Sequence, residues 1–171
     1  MIQIEGLAVI TAQGANMTAP ICPYCKTESK MVTGTDVYPS RPDLSDKKFY
    51  MCKPCQAWVG VHIATNKPLG TLARASLRTM RLRAHNKLDL LWKNKYLKRG
   101  KVYALLAFYL NVIPKYCHIG MMSEKQCLDV ILWAKVQLKD FGYEPDAETN
   151  NETIQKDFPY SPGITSLFDD K

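Results

Sequence analysis

The sequence predicts an α+β fold: short antiparallel strands near the N-terminus, packed on a three-helix unit, with an acidic tail beyond it. Three observations predict this. Two C-x2-C pairs, CPYC and CKPC, enclose 26 residues rich in β-formers. A long stretch from residue 67 repeats apolar side chains at helical spacing. From residue 143 onward the chain turns acidic and loses any period, so a disordered tail is expected. The 171 residues then divide into an N-terminal extension (1–19), a cysteine-bearing module (20–66), a basic helical unit (67–142) and the tail (143–171).

The extension, MIQIEGLAVITAQGAN, has an apolar patch at residues 7–10 but no basic flank, and Glu5 precedes the patch. It therefore does not read as a secretory signal; a short strand or a loose terminus is expected. No run of 18 or more apolar residues occurs, so no membrane span is expected. A reducing cytoplasm is the expected compartment, and there paired cysteines hold metal more often than they form disulfides.

In the module, Cys22, Cys25, Cys52 and Cys55 have the spacing C-x2-C-x26-C-x2-C. Each short turn can present two thiolates to one ion, and two such turns complete a tetrahedral shell. KMVTGTDVY, KKFYM and AWVGVHI supply three strand candidates, the first bending at Thr-Gly. This is the order of a four-cysteine zinc ribbon, with one structural Zn²⁺ at those cysteines. A four-thiolate shell is closed to water and substrate, so no catalytic residue is assigned to it. In WVGVHI, alternation puts Val59, Val61 and Ile63 on the packed face and Trp58, Gly60 and His62 on the other. His62 is expected to be a packed or surface residue.

The helical unit opens with Thr71 as the expected N-cap, followed by a stripe that includes Leu77, Met80, Ala84, Leu88 and Leu91. KVYALLAFYLNVI is apolar nearly all round and is expected at the centre of the helical core, with Pro114 ending it. The third helix starts at a Ser123–Gln126 capping box, buries Cys127 and stops at Gly142.

Residues 67–101 carry eleven Lys or Arg against Asp89 alone, a net charge of +10. A solvated helix face usually mixes signs, so a polyanion partner is expected. Arg74, Arg78, Arg81, Arg83 and Lys87 are the candidate phosphate contacts. Arg41, Trp58 and Tyr38 are candidates for stacking or groove contacts. Neutralising five to six phosphates would give a log–log salt slope of about −4 to −5. The tail, with a net charge of −5, ends in ITSLFDDK. Its SLFDD stretch is similar to short groove-docking peptides, and the tail could instead fold back on the basic face.

CPYC, YPSRPDL, KKFYMCKPCQAWVGVH, KPLGTLA, LRTMRLRAHNKLDLLW and CHIGMM, in this order, resemble the zinc-finger-containing domain family of bacteriophages and prophages. The resemblance spans residues 20–141. It implies a zinc site at the four cysteines, a phage origin and hence a host cytoplasm, and it supplies no reaction. Nucleic-acid binding, DNA first, is the function expected. The alternative is a protein-interaction module that modulates a host polymerase, replication or defence complex through the ribbon or the tail. A nuclease using His62, His118 or a His85–Asp89 pair ranks third, because no acidic cluster for Mg²⁺ is visible.

Overall fold

The computed structural model describes residues 19–143, so all but the last residue of the expected N-terminal extension and all but the first of the acidic tail lie outside the described residues. Three strands, β1 (Lys30–Thr33), β2 (Lys48–Cys52) and β3 (Ala57–Gly60), form one antiparallel sheet in the order β1-β2-β3. Tyr50 pairs with Met31 on one side and Val59 on the other. As the central strand, β2 is buried from Phe49 through Cys52. The first strand is shorter than its β-forming sequence suggests. At the Thr-Gly bend the chain makes a single helical turn, α1 (Gly34–Val37), whose Thr33 amide donates to the Asp36 carboxylate at 3.2 Å. Gly34 is needed there, because a Cβ would run into the Leu44 carbonyl folded over it.

The third strand also ends early. Val61 is buried and Val59 half-buried, but Ile63 is 69% exposed, so the inward face stops at Val61. The cause is a turn at residues 62–67. The His62 amide donates to the Lys67 carbonyl and the Asn66 amide to the His62 carbonyl, both at 2.8 Å. Asn66 takes φ +52°, a left-handed conformation that Asn tolerates. The chain then returns along β3 as an irregular fourth edge. The Leu69 amide donates to the Gly60 carbonyl at 2.9 Å, and Trp58 and Ala73 exchange two backbone hydrogen bonds at 3.1 Å. Leu72, fully buried, is thereby packed among Cys22, Cys52 and Ala57.

This edge runs into α2 (Ala75–Lys93), followed by α3 (Arg99–Tyr109) and α4 (Glu124–Asp140). Thr71 is not the N-cap; Arg74 is, because Thr71 is held in the edge by a 3.0 Å bond from its amide to the Gly120 carbonyl. Backbone passes against backbone at this crossing: a Cβ on Gly120 would lie 2.6 Å from the Leu69 carbonyl. The cap of α4 is the Ser123–Gln126 box, with the Gln126 amide donating to Ser123 Oγ at 3.3 Å. Gly142, at φ +71°, lies just beyond its end.

The α2–α4 pair, not α3, is the centre of the helical core. α3 buries Val102, Leu106 and Ala107, while Phe108 is 88% exposed. The helix ends at Tyr109, before Pro114, with Asn111 left-handed. Cys127 and Cys117 are buried in this core, and burial pushes the Cys127 thiol up to about 11. Among the described residues no helix is long and apolar enough to cross a membrane.

Arg81 corrects the sequence reading most sharply. Expected at the solvent face, it is 9% exposed and continues the buried stripe of Ala84, Leu88 and Leu91. Its Nη1 donates to the Thr71 carbonyl at 2.8 Å and its Nη2 to Thr71 Oγ1 at 2.7 Å. Nε and Nη2 also donate to the Met122 carbonyl, at 3.1 and 3.0 Å. One guanidinium thus joins the sheet edge, α2 and the segment leading into α4. Arg81→Leu should destabilise the zinc-loaded protein to urea by about 2–4 kcal/mol, since it orphans buried acceptors. Arg83→Leu, on the exposed flank, should change stability by less than about 0.5 kcal/mol.

Candidate metal centre and its surroundings

The four predicted cysteines converge. The ligand atoms of Cys22, Cys25, Cys52 and Cys55 all lie within 4.8 Å of one another, and the Cys25 and Cys52 sulfurs are 3.5 Å apart. Zinc–sulfur bonds of about 2.3 Å in a tetrahedron place sulfurs about 3.8 Å apart. The sulfurs therefore stand close to the spacing one such ion requires. Cys22 and Cys52 are buried, Cys55 is half-buried and Cys25 is exposed.

Each pair sits in a turn closed by the residue that follows it. Lys26 takes φ +63° and donates its amide to the Cys22 carbonyl at 2.9 Å. Gln56 takes φ +52° and donates its amide to the Lys53 carbonyl at 3.2 Å. In the first turn, the Cys22 amide also donates to the Thr27 carbonyl at 2.8 Å. The turn at residues 62–67 repeats this bonding without any cysteine, and His62 occupies the place equivalent to Cys22.

Hydrogen bonding to the Thr27 hydroxyl, which lies 3.0 Å from the sulfur, is the largest cause that pulls the Cys25 thiol down to about 6. The Thr27 backbone and the neighbouring thiols add to it. Cys55 is pushed the other way, to about 11, first by its hydrogen bond to Cys25 and then by burial. Crowded sulfurs cannot all carry charge without a cation, and a zinc ion removes that conflict by binding every one as thiolate. The donor set fits Zn²⁺, which these four residues could hold in a closed, structural shell.

A small antiparallel sheet with a four-cysteine cluster, packed on helices, defines a structural-zinc protein. The chain belongs to the family described as zinc-finger-containing domain, whose model matches residues 18–137. No curated protein and no solved structure matches the chain.

The residues expected at a nucleic-acid interface do not share one surface. Arg41 is locked to Asp43 in a two-pronged ion pair at 2.8 and 2.6 Å. Trp58 donates from Nε1 to the Tyr38 hydroxyl at 3.2 Å, and the Arg78 guanidinium lies 3.2 Å from the centre of the Trp58 ring. Arg78 also donates to the Ala73 carbonyl, and burial brings its pKa down to about 10. Arg74 is exposed, with its guanidinium 4.4 Å from the centre of the Tyr24 ring. Arg83 is exposed and Lys87 half-buried. At about 100° per residue, Arg78 and Arg83 point about 140° apart around α2. One strand of phosphates cannot contact both rows.

The three histidines line one cleft, which their scattered sequence positions did not suggest. His62, His85 and His118 line a cleft of about 780 Å³ between the cysteine module and the helices. His85 Nδ1 stands 4.0 Å from Asp89 Oδ1, too far for a hydrogen bond, and that oxygen is buried without a partner among the described residues. Asp89 pairs through Oδ2 with Lys93 at 3.2 Å. The pair is therefore not a tight dyad.

Replacing Cys52 by Ser should drop bound zinc well below one per chain by elemental analysis, whereas Cys117→Ser should leave it at one. Burial holds the His85 pKa below 6.5; Asp89 opposes this, while Arg99 and Lys93 reinforce it. The unfolded chain therefore binds the proton first, so the contribution of neutral His85 is full above pH 6.5 and is lost as pH falls below it. Between about pH 7 and 5, His85→Gln should lose less stability than the parent in urea titrations.

Proposed function

We propose that the protein is a structural-zinc protein that binds nucleic acid, duplex DNA in preference to single strands, through one flank of α2 and the adjoining face of α4. One observation carries this reading. Half-buried Lys87 on α2 and exposed Lys135 on α4 stand together on this flank, and burial first and Lys135 second lower the Lys87 pKa. Among the described residues neither lysine has a carboxylate within salt-bridge distance. Two crowded cations without an acid gain when a polyanion arrives. Arg83, one turn before Lys87, is exposed on the same flank. Lys95, Lys98 and Lys101, all exposed, extend the positive field beyond the end of α2. The zinc site has no open position in this reading; it holds the edge from which α2 starts.

With Arg81 internal and Arg78 turned toward the sheet, about three to four phosphates are within the reach of this flank. Duplex DNA should then bind with a log–log salt slope of about −3 to −4, shallower than five or six contacts would give. Arg83→Ala with Lys87→Ala should reduce the slope by about 2, while Arg41→Ala should leave it unchanged. A parent slope near zero ends the reading.

A protein-interaction role has an observation of its own. Leu128, Leu132 and Val136, four residues apart on α4, are 47%, 50% and 56% exposed. Such a stripe suits a partner helix or groove. A host complex retained after nuclease treatment and released by Leu132→Glu would favour it over DNA.

A further inference from the structure

We propose that the cleft between the cysteine module and the helices is a nucleotide-binding pocket, taking a nucleotide that is either free or at the end of a strand. The pocket lies on the other side of α2 from the flank assigned to duplex DNA, and the proposal does not depend on that assignment. At about 780 Å³ the cavity falls within the usual range of ligand sites, about 300–1,000 Å³.

Its walls are largely apolar and aromatic. Tyr38, Phe49 and Trp58 come from the sheet side, and Leu82, Tyr103 and Met121 from the helical side. Its ionisable groups otherwise favour one sign. Arg78, Arg81 and Arg99 line it with the three histidines, and no Asp or Glu does.

Arg78 and Arg81 are the unusual feature. Both are substantially withdrawn from water, and burial lowers both pKa values, yet both remain cations at neutral pH. Among the described residues neither has a carboxylate within salt-bridge distance. Their protein acceptors are carbonyls and the Thr71 hydroxyl. Cations this deep are normally paired with an acid. Arg78 also lies over the Trp58 ring, but neither that contact nor the carbonyls carry a net negative charge, and a bound anion would supply one. Arg78 uses Nη1 on the Ala73 carbonyl, and its guanidinium carries further N–H groups suited to phosphate oxygens.

An inorganic anion would satisfy the arginines but leave the aromatic walls unfilled. A neutral aromatic molecule would do the reverse. A nucleotide answers both, with its base against the rings and its phosphate at the cations. No metal is invoked: among the described residues only the four cysteines form a metal-sized cluster.

Isothermal titration calorimetry on the zinc-loaded full chain tests this. The probes are the four ribonucleoside 5′-monophosphates, adenosine, and tetranucleotides with a 5′-phosphate or a 5′-hydroxyl. Adenosine monophosphate, at least, should bind with a Kd below about 1 mM, and adenosine should bind at least about tenfold more weakly. Met121→Trp narrows the cleft from its exposed rim without touching a cysteine or an arginine. It should weaken binding about tenfold or more with zinc content unchanged, as should Arg78→Gln. A 5′-phosphorylated tetranucleotide binding more tightly than any monophosphate would assign the pocket to a strand end; the reverse order would assign it to a free nucleotide. The proposal is overturned if no phosphorylated probe binds at about 1 mM, if adenosine matches its monophosphate, or if Met121→Trp binds like the parent. Loss of duplex binding with monophosphate binding intact would sink only the earlier reading.

Discussion

Four sulfur atoms brought within 4.8 Å of one another form a constraint that the rest of the N-terminal half obeys. As thiolates they repel; as thiols they are poor partners for one another. Only a thiophilic cation of suitable size makes the arrangement stable. The surrounding sheet is too small to hold them by burial alone: three strands of four or five residues and a few buried side chains around Leu72 make little core. The metal therefore stands in for a hydrophobic interior. Because Leu72 packs among the cysteines and α2 begins at Ala75, the same centre also sets where the longest helix starts.

The second half is joined to the first by a buried cation. Arg81 reaches both Thr71, next to the cysteine cluster, and Met122, next to the cap of α4. A Leu at this position would pack, but it could not satisfy those acceptors. Arginine here leaves positive charge inside the molecule, and Arg78 adds to it from one turn away. The two halves thus meet across a cleft lined by apolar and aromatic side chains and by arginines. Holding the halves together and attracting an anion are two consequences of the same side chains.

The cysteine spacing made the metal site legible, and strand candidates on either side of it were placed correctly to within a few residues. The turns were less legible. Left-handed Lys26 and Gln56 give no compositional signal, whereas Asn66 offered one that the alternation of WVGVHI obscured. Thr71 looked like a cap because a Thr before an apolar stripe usually is one; the crossing with Gly120, distant in sequence, decided otherwise. KVYALLAFYLNVI looked central because it is apolar on every side, yet Phe108 and Tyr109 remain largely exposed. Arg81 was misread for a more instructive reason. Charge suggested the surface, but its spacing from Ala84, Leu88 and Leu91 put it on the buried stripe, and the period outweighed the charge. The cleft could not be read at all, since its three histidines come from three separate segments.

The most direct test of the central claim is X-ray absorption at the zinc edge of the purified protein. The account predicts four sulfur neighbours at about 2.3 Å and no nitrogen in the shell. A shell containing an imidazole nitrogen, or fewer than four sulfurs, would contradict it.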